Sequence, residues 1–91
     1  MGVNTIYKYP LEVSKRNVIT TYAGWVPRLF AEQNGVPTLW AQVNTDSNEY
    51  ECRLLISKTG TDIKMGSIRG NLRFVGSCII GKNVLFLYEG S

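Results

Sequence analysis

The chain has 91 residues, no histidine and a formal net charge of +3. That length suits one domain with a modest core, burying roughly 64% of the surface the unfolded chain exposes. A composition with 44% hydrophobic and 19% charged residues excludes disorder, and the missing histidine excludes the Ser-His-Asp triad, the Cys-His pair and His-ligated zinc. Along the chain the dominant hydrophobic period is two, punctuated by Gly, Pro, Asn and Asp, which predicts an all-β domain. Thr5 to Tyr9 reads as a first strand stopped by Pro10, and Val13 to Asn17 as a loop or a single helical turn. The β-branched run Val18 to Tyr22 is a second strand. Trp25 to Gln33 is a third, with Pro27 marking an edge or a bulge.

Asn34-Gly35 separates that strand from Val36 to Val43, a hairpin signal because both central residues of a type I′ turn need positive φ. Tyr50 to Lys58 follows as a fifth strand. Phe74 to Ile80 and Asn83 to Glu89 form a second hairpin around Gly81-Lys82, in which a leading glycine suits a type II′ turn. The run Val84-Leu85-Phe86-Leu87 is apolar on both faces, so this last strand is expected to be buried on both sides, or on one side by a partner chain. Six to seven short antiparallel strands without a convincing helix predict one domain, residues 1–91, built as a small sandwich or a partly open barrel.

Two cysteines, Cys52 and Cys78, are too few for a zinc site, and both lie in strand-like runs. They read as buried free thiols; a disulfide between them would require an oxidising compartment. The first residues lack a basic region followed by a long apolar stretch, so no signal peptide is expected, and no apolar run approaches the ~20 residues of a membrane helix. A cytoplasmic location, with no membrane partner, is the expectation.

The charge is localised. From Met1 to Cys52 four bases (Lys8, Lys15, Arg16, Arg28) meet five acids (Glu12, Glu32, Asp46, Glu49, Glu51). From Arg53 to Arg73 five bases (Arg53, Lys58, Lys64, Arg69, Arg73) meet Asp62 alone, so the positive excess lies in one window. That window contains the glycine-spaced stretch Lys58 to Asn71, a long loop in a domain otherwise joined by short turns. Arginine forks and glycine backbone N–H groups suit a phosphate; the plainer reading is a solvated charged loop. No Gly-Lys-Ser/Thr occurs in it, so it is not a Walker motif.

Strand alternation places Trp40 on a polar face with Thr38, Gln42 and Asn44, and Arg53 on the polar face of the next strand. Such a face would stack a base and clamp a phosphate; the alternative is that Trp40 covers a second small core or a subunit interface. Tyr7 and Tyr9 flank Lys8 in an aromatic-basic interleaving, a pattern shared with ordinary strand packing. Catalysis has little support: Asp62 has no carboxylate partner and the serines have no histidine to activate them, so no enzyme and no cofactor or metal is expected.

Five segments together resemble a family of small bacteriophage-encoded β domains. They are Ile6-Tyr7-Lys8-Tyr9, Ala31 to Val43 with its Leu39-Trp40-Ala41 strand, the Thr59-Gly60-Thr61 turn, Phe74-Val75-Gly76-Ser77 and the aromatic-rich last strand. In that family the Thr-Gly is often followed by a His-Pro pair, where this chain has Thr61-Asp62. The closing strand also lacks the family's usual histidine. The chain is similar, too, to phage sponges that sequester cyclic oligonucleotide signals of bacterial immunity, the anti-CBASS type. That resemblance implies a homo-oligomer, dimer or tetramer, in the host cell cytoplasm, binding a cyclic di- or trinucleotide such as 3′3′-cGAMP without cleaving it. Phosphate contacts then fall to Arg53, Arg69 and Arg73, hydroxyl and backbone contacts to Thr59, Gly60 and Thr61, and base stacking to Trp40 or Tyr7. The alternative is a protein-interaction inhibitor or phage accessory subunit acting through a strand edge or apolar patch. General nucleic-acid binding is disfavoured by the low net charge.

Overall fold

The computed structural model describes residues 4–13, 16–60 and 72–90. These form seven strands: β1 (Asn4–Pro10), β2 (Asn17–Tyr22), β3 (Val26–Gln33), β4 (Val36–Asn44), β5 (Glu49–Lys58), β6 (Leu72–Ile80) and β7 (Asn83–Gly90). All pairings are antiparallel. They divide into a three-stranded sheet of order β1-β4-β3 and a four-stranded sheet of order β2-β5-β7-β6. Among the described residues no pairing joins one sheet to the other, so the domain is a sandwich and not a closed barrel.

The turn chemistry sets this topology. Asn34 and Gly35 both take positive φ, 52° and 80°, which is the backbone a two-residue type I′ hairpin requires between β3 and β4. Three connections instead carry the chain from one sheet to the other. The β2–β3 crossover is a tight turn closed by the Trp25 N–H donating to the Tyr22 carbonyl at 3.1 Å. It is tied to the β4–β5 crossover by the Ala23 N–H donating to the Asn48 carbonyl at 2.8 Å. In the β1–β2 connection Asn17 bonds Glu12 twice: its Oδ1 accepts from the Glu12 N–H and its Nδ2 donates to the Glu12 carbonyl, both at 2.9 Å. Ser14 and Lys15 lie outside the described residues, as does 61–71, which holds most of the predicted long loop.

The core forms where the period-two pattern points inward from both sheets. Leu39, Ala41 and Val43 of β4 and Phe30 of β3 face Cys52, Leu54 and Ile56 of β5 and Leu85 and Leu87 of β7. Full burial of each large aliphatic chain contributes ~1.5–3 kcal/mol. The layers approach closely where β3 crosses β6. A Cβ built on Gly76 would lie 3.3 Å from the Phe30 Cβ, so only glycine fits there without displacement. Tyr9 of β1 donates its hydroxyl hydrogen to the Oγ1 of the fully buried Thr21 of β2 at 3.2 Å, satisfying a buried polar group across the two sheets. Pro27 lies at an irregularity: the β3–β4 register shifts between Pro27 and Leu29, on an edge strand, as a proline in a strand demands. Cys52 and Cys78 are free thiols, the first buried and the second half-buried.

Candidate functional site

The residues predicted to bind a ligand are dispersed. β4 and β5 are consecutive in the chain but belong to different sheets. Trp40 therefore faces outward from the three-stranded sheet, between Lys8 of β1 and Leu29 of β3. Arg53 faces outward from the four-stranded sheet, between Val18 of β2 and Gly90 of β7. The two side chains point from opposite sides of the sandwich, and the joint face expected from reading β4 and β5 as neighbours does not form. Thr59 and Gly60 lie past the end of β5, about 20 Å along the strand from Arg53, with the Thr59 N–H donating to the Val84 carbonyl at 3.3 Å. Tyr7 packs edge-on to Tyr22, with ring centroids 5.9 Å apart, and tilts against Tyr9 at 6.3 Å. Thr61 and Arg69 lie outside the described residues.

Arg73 is engaged in the fold. Arg73 and Glu89 are register partners on β6 and β7 and form an ion pair. The guanidinium also lies over the Trp25 ring, 5.7 Å from its centroid. The other oxygen of Glu89, Oε2, accepts from the Tyr50 hydroxyl at 3.3 Å and from the Cys52 thiol at 3.2 Å. The Trp25 Nε1–H donates to the same Tyr50 hydroxyl at 2.7 Å. This network closes one end of the sandwich with one acid satisfied by three donors. Burial, followed by the hydrogen bond to Glu89, pushes the Cys52 thiol up to about 12, and burial also raises Tyr50. A thiol held protonated is not a nucleophile. The cleft beside it, about 510 Å³, is lined by Tyr50, Glu51, Cys52, Arg53, Glu89 and Gly90. Two carboxylates share it with one lining arginine, which is the wrong balance for a phosphate.

The outward face of β1-β4-β3 has the opposite character. Register places Lys8, Trp40 and Leu29 in one row across the three strands, and Ile6, Gln42 and Val26 in the next. The irregularity after Pro27 brings Arg28 onto this face, where its Nε and Nη2 donate to the Gln42 Oε1 at 3.0 and 2.8 Å. A guanidinium has five N–H groups, so three remain for a ligand after these two bonds, and its orientation is fixed. Trp40 is half-buried, while Ile6 and Leu29 are exposed. The outward positions of these strands thus offer an indole, two cations, an amide and no acid. Sequence alternation finds Trp40 and Gln42. It does not find Arg28, because the bulge that turns it outward breaks the period, nor does it show that Lys8 is the residue opposite Trp40.

Among the described residues no cluster of acidic or cysteine side chains is arranged to hold a metal ion. The profile of the DUF7352 family, described as a domain of unknown function, matches residues 3–91, and the chain belongs to that family. No curated protein matches the chain, and no solved structure does.

Proposed function

We propose that this DUF7352 domain is a non-catalytic binder that captures a planar, multiply anionic ligand, of the cyclic di- or trinucleotide class, on the outward face of β1-β4-β3. In a phage-infected cell, sequestration of such a signal would silence the host defence that depends on it. The observation that carries the reading is the face around Trp40: the indole stands between Lys8 and Leu29, Gln42 of the next row holds the Arg28 guanidinium in place, and no outward position of these strands is an acid. The accessible part of the half-buried indole is offered to a base, a stacking contact worth ~1–3 kcal/mol, and the cations meet the phosphates. The chain's share in chemistry is positional: stack, pair and hold.

The test is titration of the purified protein with a cyclic nucleotide panel including 3′3′-cGAMP, followed by quenching of Trp40 fluorescence and by calorimetry. Tight binding, release of intact nucleotide on heating, and a tenfold or greater loss in Trp40→Ala and Arg28→Ala support the reading. Absence of binding across the panel refutes it. Binding that survives both substitutions but is lost in Arg53→Ala would return the site to the basic window between Arg53 and Arg73. A second reading, a protein-interaction module, is favoured by the apolar outer face of the other sheet. A single stoichiometric partner in a host-lysate pull-down, with no nucleotide bound, would establish it.

A further inference from the structure

The outward face of β2-β5-β7-β6 is unlike a solvated sheet face. An antiparallel sheet with one wet side alternates apolar and polar residues, yet β7 places Val84, Phe86 and Tyr88 outward, opposite the inward Leu85 and Leu87. Register adds Leu55 of β5, Val18 of β2, and Phe74 and Ile79 of β6 to the same side. Ile79, Val18 and Phe74 are 67%, 56% and 55% exposed. Phe74 meets Tyr88 edge-on at 5.6 Å, making an aromatic ridge with its outer side uncovered. Patches of this kind mark interaction surfaces.

We propose that this face packs against the same face of a second copy, giving a back-to-back dimer of sandwiches. Two features select a copy of itself as the occupant. First, the charges at the outward register positions of these strands are Glu49, Glu51 and Arg53, all in the first half of β5, so the rest of the face carries none. These charges have mixed sign, so in a two-fold pairing the Arg53 of each copy can offset the acids of the other, whereas the Trp40 face, with Lys8 and Arg28 and no acid at its outward positions, repels its own copy. Second, the size is sufficient. Four strands at ~4.8 Å spacing and a central strand of eight residues span about 19 by 26 Å, or ~500 Å² in projection, which for two partners reaches the ~1,000 Å² that a specific interface must clear. Sheets so stacked lie ~10 Å apart, the spacing already used inside each sandwich. The arrangement leaves both Trp40 faces outward, and it stands whether or not that face binds a nucleotide.

The test is the solution mass of the full chain by light scattering and sedimentation over a wide concentration range, for the wild type, Ile79→Lys and Phe74→Glu. Both positions are mostly solvated in the single chain, so the substitutions leave its fold intact, which far-UV circular dichroism and a thermal melt verify. A wild-type dimer, with both variants monomeric or at least tenfold weaker in self-association, is the expected result. A wild type monomeric at every concentration overturns the proposal. So does a dimer unaffected by both substitutions, since that dimer is built on a strand edge. A monomer that takes up a different protein on this face also overturns it. Nucleotide titration of the same variants separates the two proposals, because neither substitution touches the Trp40 face.

Discussion

Raising the pH above 9 should weaken this domain through Cys52, and the size of the effect follows from its surroundings. The thiol is 2% exposed and donates to Glu89 Oε2, and burial and that carboxylate together move it from 9.0 to about 12. The folded state therefore holds its proton more tightly than the unfolded state. The stabilising difference is complete below pH 9, where both states are protonated, and is lost as the pH rises from 9 towards 12, where only the unfolded thiol ionises. Each pH unit in that window costs about 1.4 kcal/mol, so the loss from pH 9 to pH 11 comes to about 2 kcal/mol after allowing for partial ionisation at the start. That is a large part of the total stability of a small domain. Other groups titrate in the same range, Tyr50 among them, and the Cys52→Ala variant isolates the thiol. Urea unfolding of both proteins should show a wild-type advantage at pH 8 that shrinks by about 2 kcal/mol by pH 11. An advantage constant with pH would mean that the thiol is not desolvated against Glu89, and the account of the network would be refuted.

Three further substitutions probe the Glu89 network, the approach of the layers and the Trp40 face. Glu89→Gln removes the charge that holds Arg73, Tyr50 and Cys52 together, and should cost about 1–3 kcal/mol in denaturant unfolding while making Cys52 react with a thiol reagent at lower pH. Gly76→Val forces atoms into the 3.3 Å approach of Phe30 and should lower stability by about 1–3 kcal/mol, more than Gly76→Ala does; equal effects would show that the layers can separate at this point. Gln42→Ala releases the Arg28 guanidinium without removing its charge. Calorimetry should show ligand affinity falling severalfold, with a smaller loss than in Arg28→Ala.

The strands were legible in the sequence because their signals are local. Alternation in Thr38 to Asn44 assigns Leu39, Ala41 and Val43 to the core, and Asn34-Gly35 and Gly81-Lys82 locate both hairpins. Pro27 announces the irregularity in β3. The site was not legible, because it depends on which sheet each strand joins. Trp40 and Arg53 share a polar face in a meander, but the chain between β4 and β5 changes sheets, and nothing in Thr45 to Asn48 distinguishes a hairpin loop from a crossover. Arg73 reads as a free cation until Glu89, sixteen residues on, is seen in register beside it. Glu89 itself stands at an inward position that a carboxylate occupies only with partners, and three of those partners come from other strands.

The two outward faces divide the work that a short chain must do. A sandwich of this length buries one layer of side chains between its sheets and has two outer surfaces left. On β1-β4-β3 the outward residues are mixed and cationic, and water can solvate them when no ligand is present. On β2-β5-β7-β6 Val18, Leu55, Phe74, Ile79, Val84, Phe86 and Tyr88 make an apolar surface that gains free energy by being covered. If the second surface were the ligand site, an anionic ligand would meet, among the outward strand positions described, Arg53 as the one cation, with Glu49 and Glu51 on the same strand. If the first were the dimer contact, Lys8 and Arg28 of both copies would be driven together and stripped of water. The assignment in which charge faces the ligand and the apolar sheet faces its copy avoids both costs. It predicts one ligand for each protomer, two for each dimer, bound on opposite sides of the assembly with no contact between them. Equal and independent site affinities in a calorimetric titration are therefore the expected result, and cooperative binding would count against it.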